Sequence, residues 1–81
     1  MHDILNATVV LDLKGLLCPL PVVKIAQAVK KVQVGEVVEA IATDPGVLAD
    51  IPAWARSTGH ELLSLEKTSD KQFRFVVKRA K

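Results

Sequence analysis

With one cysteine, Cys18, in 81 residues, the chain cannot form an intramolecular disulfide. A domain this small must be held together by packing, which fits a reducing compartment better than a secreted one. The same count excludes redox chemistry with a resolving cysteine inside the chain. No apolar run approaches membrane-spanning length. Met1-His2-Asp3-Ile4 has neither the basic nor the long apolar stretch of a signal peptide, so a cytoplasmic protein with no membrane attachment is expected. His2 and His60 are the only imidazoles, and no carboxylate or cysteine stands at metal-ligand spacing, so neither a metal nor a cofactor is expected. Linkers and low-complexity segments are also lacking, and residues 1–81 read as one domain.

What is present is an ordinary globular balance, with 49% hydrophobic and 25% charged residues. The net charge of +2 is modest. Lys78, Arg79 and Lys81 concentrate positive charge at the C-terminus, and Lys24, Lys30 and Lys31 do so on a predicted helix. Such clusters usually form solvated surface, so no direct nucleic-acid contact is expected, and an acidic protein partner is as plausible a reason for them. A monomer is expected.

Thr8 to Leu13 alternates, with Val9, Leu11 and Leu13 on one side, as a half-buried strand does. From Pro19 to about Val32, Val22, Ile25, Ala26 and Val29 recur at helical spacing opposite Lys24, Gln27, Lys30 and Lys31. Glu36 to Thr43 reads as a second strand with Val38, Ala40 and Ala42 inward. A second helix is predicted to begin near Asp50, with Asp50 as its cap and Pro52 in its first turn, and to stop at Gly59. His60 to Thr68, with Leu63 and Leu65 inward, and a last strand marked by Phe73, Phe75 and Val77 flank a turn at Ser69-Asp70-Lys71. The economical arrangement is an α+β, two-layer sandwich of order β-α-β-α-β-β, both helices covering one face of a four-stranded mixed sheet. The other face would be exposed, with polar Asp12, Glu39, Gln72 and Arg74 beside apolar Val10, Val37, Ile41 and Val76.

Gly15-Leu16-Leu17-Cys18-Pro19-Leu20-Pro21 joins the first strand to the first helix, placing Cys18 at or beside the helix cap. Unpaired amides and the macrodipole at that end favour a thiolate, so a lowered pKa is expected. Pro19 and Pro21 suit a first turn, and Leu20 N–H is the natural donor to the sulfur if Cys18 caps the helix. The plain alternative is a small buried hydrophobe. Leu16 and Leu17 already supply apolar anchors, however, and packing explains a loop cysteine before a proline poorly. His60 reads as structural, Trp54 as core, and Asp44 and Asp50 as turn or helix caps.

Cys18-Pro19-Leu20-Pro21 resembles the Cys-Pro-X-Pro signature of the TusA/SirA sulfur-carrier family. The resemblance extends through Leu11-Asp12-Leu13-Lys14-Gly15, Asp44-Pro45, Asp50-Ile51-Pro52 and Gly59-His60-Glu61-Leu62, nearly the whole chain. It implies a fold similar to the C-terminal domain of a translation initiation factor. It also implies that Cys18 accepts sulfane sulfur as a persulfide from a cysteine desulfurase or a rhodanese-like donor, and passes it to a thiol-bearing acceptor protein. Receivers in the family serve tRNA thiolation, molybdenum-cofactor assembly or sulfur-compound oxidation. The chain would then be a stoichiometric sulfurtransferase partner and not a stand-alone catalyst.

Two departures stand out. Many tRNA-thiolation relatives carry a basic residue where Leu17 stands and a glutamate where Leu20 stands, and some have a cysteine near Ala55. Leucine at both places makes an apolar rim beside Cys18, a candidate docking contact, while Lys14 and Lys24 flank the segment and could attract an acidic partner. Leucine at Leu20 leans toward the sulfur-oxidation relatives. Two other functions remain open at this point: a redox or regulatory thiol protein forming mixed disulfides, and an RNA-binding module.

Overall fold

The computed structural model describes residues 8–81, so the expectations on Met1 to Ile4, His2 included, lie outside the described residues. The order is β1 (Val9–Leu13), α1 (Leu20–Lys31), β2 (Val37–Ala42), α2 (Val47–Thr58), β3 (Glu61–Ser69) and β4 (Gln72–Lys78). The sheet runs β1-β2-β4-β3, parallel between β1 and β2 and antiparallel elsewhere. The predicted sandwich is therefore the fold. Alternation puts Val38, Ala40, Ala42, Phe73, Phe75 and Val77 on one face, where Ile25 and Val29 of α1 and Val47 and Ile51 of α2 join them in one core. Trp54 packs on the edge of that core. No helix among the described residues is long and apolar enough to cross a membrane.

Three local expectations fail for physical reasons. α2 starts at Val47, with Gly46 as cap and Pro52 inside it, because Val47, Leu48 and Ala49 N–H groups close a tight first turn on the carbonyls of Asp44, Pro45 and Gly46. Asp50 is thus a first-turn residue and not the cap. In β3 the register steps from Leu62 opposite Val77 to Ser64 opposite Val76, leaving Leu63 in a bulge, so Leu62 and Leu65 face the core in place of Leu63 and Leu65. The outer face is less open than expected. Val76 is fully buried and Val37 nearly so, while Arg74 spans the strands to Glu39 at 2.7 Å and to Glu66 at 3.7 Å.

The C-terminal segment is fastened to the fold. Arg79 donates from its guanidinium to the Lys30 and Val32 carbonyls at the C-terminal end of α1, and Ala80 N–H donates to His60 Nδ1 at 3.2 Å. Burial first, then the charges of Arg79 and Lys81, hold the His60 pKa below its ordinary 6.5. The fold therefore prefers neutral His60. Its contribution to stability is complete above the unfolded value and is lost as pH falls through the depressed folded value. Urea unfolding midpoints should drop between about pH 7.5 and about pH 5, and His60→Gln should remove part of that drop. An identical drop in the variant would assign the pH dependence to other groups.

Candidate functional site

Gly15 turns the chain out of β1 at φ +84, a left-handed conformation that favours glycine. Its N–H donates to Thr43 Oγ1 at 2.9 Å, and Leu16 packs against the core. Leu17, pointed the other way, is 70% exposed. Cys18 N–H then donates to Asp44 Oδ2 at 2.6 Å, while Asp44 Oδ1 accepts from Gly46 N–H at 3.1 Å. One carboxylate thus ties the cysteine loop to the connection between β2 and α2.

Pro19 caps α1, so Cys18 stands one residue before the cap, and the Cys18–Pro19 peptide is cis. Pro21, in the first turn, is buried, whereas Pro19 and Leu20 are exposed. The expected donor to the sulfur is otherwise engaged, because Leu20 N–H donates to the Leu17 carbonyl at 2.9 Å. The sulfur lies instead against Gly46 at the start of α2, near the Asp44 carboxylate, and Asp50 also acts on the thiol. Gly46 makes room for it: a Cβ there would fall 2.8 Å from Cys18 Sγ.

The consequence reverses the expected thiol acidity. The hydrogen bond to Asp50, then burial, then Asp44 push the Cys18 thiol from 9.0 up to about 12. A helix terminus contributes about 0.3–1 kcal/mol toward an anion, too little to undo such a rise when one pH unit corresponds to about 1.4 kcal/mol. The amides of the first turn of α2, from Val47 to Asp50, already donate to the carbonyls of Asp44, Pro45 and Gly46. Asp44 itself is held below its ordinary 3.8, chiefly by the Cys18 and Gly46 backbone N–H groups.

Asp44, Gly46 and Asp50 are the site residues that sequence reasoning missed. The two aspartates read as caps because Asp44-Pro45-Gly46 marks a turn and Asp50 precedes a helical run, and nothing in linear sequence sets them beside Cys18. Lys14 and Lys24 are exposed, as expected of flanking lysines, but neither contributes to the shift of the thiol. No cavity forms, and no group of three or more His, Cys, Asp or Glu that could hold a metal occurs, among the described residues. Cys18 is half-buried, beside the exposed side chains of Leu17 and Leu20.

The Gly46 seat gives a direct test. Its φ of −57 suits any residue, so Gly46→Ala should fold, but the new methyl must displace the sulfur from the carboxylates. The midpoint of Cys18 alkylation against pH should fall by a pH unit or more, toward the ordinary thiol value of about 8.5. An unchanged midpoint would show that the sulfur does not rest on Gly46.

Against known proteins, the family described as Sulfurtransferase TusA matches residues 9–79. The chain is 55% identical over 62 residues to YrkF of Bacillus subtilis, whose name marks it as a candidate sulfur carrier, covering 76% of this chain and 34% of that protein. A candidate sulfur carrier of Archaeoglobus fulgidus is 42% identical over 73 residues, covering 90% of this chain and 99% of the relative. The sulfur carrier protein TusA of Allochromatium vinosum is 39% identical over 70 residues, covering 86% and 91%. The chain spans about a third of the length of the Bacillus relative and of one from Aquifex aeolicus, and nearly all of the other two. In structure it is similar to a SirA-like protein from Desulfitobacterium hafniense, with a TM-score of 0.79 at 16% identity over 91% of this chain and 100% of that one, which shows a shared fold. By the extent of the family match and the identity to relatives covered nearly end to end, the chain belongs to the TusA family of sulfur carriers.

Proposed function

We propose that Cys18 is the atom that carries the sulfur, as a persulfide accepted from a cysteine desulfurase or a rhodanese-like donor and passed to a thiol-bearing acceptor protein. The observation that carries this reading is the half-buried Cys18 beside two exposed leucines, Leu17 at 70% and Leu20 at 46%, on a loop fastened at both sides. Transfer between thiols needs an approach from outside and attack on an outer sulfur, and a half-buried cysteine on a firmly held loop suits both. Pro19 and Pro21 fix the chain on the far side of the sulfur. The docking contact is the rim of Leu17 and Leu20, with Lys14 and Lys24 near it to attract an acidic partner. Those leucines support an acceptor other than that of the tRNA-thiolation relatives, in a relay for sulfur-compound oxidation.

The rival functions have less support. Part of the basic C-terminus is engaged within the fold, since Arg79 donates to the Val32 and Lys30 carbonyls and to Lys81 O, leaving a weaker patch for RNA. Intact-mass spectrometry after incubation with a cysteine desulfurase and cysteine, or with a small sulfane donor, separates these readings. A carrier gains the mass of one or more sulfur atoms, reversibly with a thiol reductant. A glutathione-sized or dimeric adduct alone would replace this reading with the redox one.

A further inference from the structure

We propose that Asp44 is the positioning residue of sulfur transfer: its carboxylate bridges the backbone of Cys18 to the backbone of Gly46 and so fixes where the sulfur meets a partner thiol. This rests on Cys18 being the sulfur-bearing atom and adds the group that holds it in place. β1 and β2 are parallel and end in register, Leu13 opposite Ala42, so the segments that follow them leave the sheet from adjacent strand ends. They are tied together at two points. Gly15 N–H donates to Thr43 Oγ1 at 2.9 Å, and Cys18 N–H donates to Asp44 Oδ2 at 2.6 Å.

What sets Asp44 apart from Thr43 is its second oxygen. Asp44 Oδ1 accepts Gly46 N–H at 3.1 Å, and Gly46 is the seat of the sulfur: a Cβ there would fall 2.8 Å from Cys18 Sγ and 3.5 Å from Asp44 Oδ1. One planar group therefore holds both the residue that bears the sulfur and the residue on which it rests. A carboxylate suits this because both of its oxygens accept, and hydrogen bonds to an ionised acceptor are the strong ones. An asparagine of the same size would turn an amide donor toward one of the two N–H groups. The charge itself is no help to an anionic sulfur, since Asp44 disfavours the Cys18 thiolate. What Asp44 supplies is placement.

In the transfer step an acceptor thiolate R–S⁻ attacks the outer sulfur of Cys18–S–SH. A bond forms between those two sulfurs, the bond from Sγ to the outer sulfur breaks, and its electron pair leaves with Sγ. The products are R–S–SH and the Cys18 thiolate, which takes up a proton from water, so no oxidant or reductant is consumed. Attack runs along the axis of the bond that breaks. A misplacement of about 1 Å in such a geometry can cost about 100-fold in rate. A small nucleophile finds the axis by diffusion. A docked protein brings its thiol along one line, and the carrier must hold its sulfur on that line.

The full chain, loaded with sodium tetrasulfide and desalted, can be offered two acceptors: reduced thioredoxin, a protein dithiol, and cyanide, a small nucleophile. Thioredoxin releases the sulfur as hydrogen sulfide and becomes a disulfide, whereas cyanide carries it away as thiocyanate. Rates are counted per loaded molecule, so an unfolded fraction does not enter them. The ratio of the thioredoxin rate to the cyanide rate should fall by about tenfold or more in Asp44→Asn. It should fall as far in Asp44→Glu, which keeps the charge but carries its oxygens one methylene further; an effect of charge alone would leave that variant at the parent ratio. Because Cys18 is the single cysteine, selective ¹³Cβ labelling gives one methylene signal that reports on its side chain. Its two protons should couple unequally to Hα in the parent, as in one fixed rotamer, and move toward a common averaged value in Asp44→Asn. A smaller fall of the ratio in either variant overturns the proposal, as do averaged couplings in the parent or unchanged couplings in Asp44→Asn. If Asp44→Asn does not fold, Asp44→Glu and the parent couplings decide. A parent that takes up no sulfur overturns the carrier reading and this one with it, whereas normal loading with an unmoved ratio overturns this one alone.

Discussion

Cys18→Ser should fold like its parent and take up no sulfur at all from donors that load the parent. Folding should survive because Cys18 lies in a loop outside the core, and its N–H keeps its bond to Asp44 whichever side chain follows. A serine hydroxyl is similar in size and can still donate to the carboxylates. Stability should therefore change by less than about 0.5 kcal/mol, as for a surface substitution that removes no packing. The chemical loss is complete because a hydroxyl forms no persulfide. Circular dichroism with urea titration checks the first half and intact mass the second. Sulfur retained by the serine variant would place the cargo on a different atom and remove the basis for the site.

The fold was legible because its core obeys simple periods. Leu13, Val38, Ala40 and Ala42 alternate on strands, Ile25 and Val29 recur by helical spacing, and all are buried. The errors lie where a local rule had a competitor. Pro52 argued for a later helix start, yet a tight turn from Asp44 through Gly46 begins α2 earlier and carries the proline inside. Leu63 fits the alternation of β3, but a bulge beside Ser64 shifts the inward position to Leu62. Such a bulge follows from pairing with β4 and leaves no mark in the strand itself.

The candidate site was legible in part. Cys18 stood out by its loop, its proline neighbours and the lack of a second thiol. Its electrostatics did not, because they come from the other half of the fold: Asp44 lies 26 positions away and reaches Cys18 only through the parallel pairing of β1 with β2. Reasoning from α1 alone predicts an acidic thiol. Adding α2 brings two carboxylates and reverses the sign.

Leu17→Arg combined with Leu20→Glu should reduce sulfur transfer to the native acceptor by a factor of about 10 to 100, while loading from a small sulfane donor changes little. Both leucines are exposed beside the sulfur, at 70% and 46%, and Val23 and Leu48 are exposed on the neighbouring helices at 42% and 47%. Covering a leucine side chain in a complex is worth on the order of 1.5–3 kcal/mol, and about 1.4 kcal/mol corresponds to tenfold in affinity. Charge in place of two leucines should therefore weaken the complex even after the entropy and desolvation costs of association. Small donors need no such contact and report only on Cys18 and its carboxylates. The measurement is single-turnover transfer of labelled sulfur from the loaded carrier to its acceptor, set against loading by a small donor. Transfer as fast in the double variant as in the parent would move partner choice away from the leucine rim, most plausibly to the lysine-bearing side of α1. A parallel fall in both reactions would show instead that the substitutions disturb the seat of the sulfur.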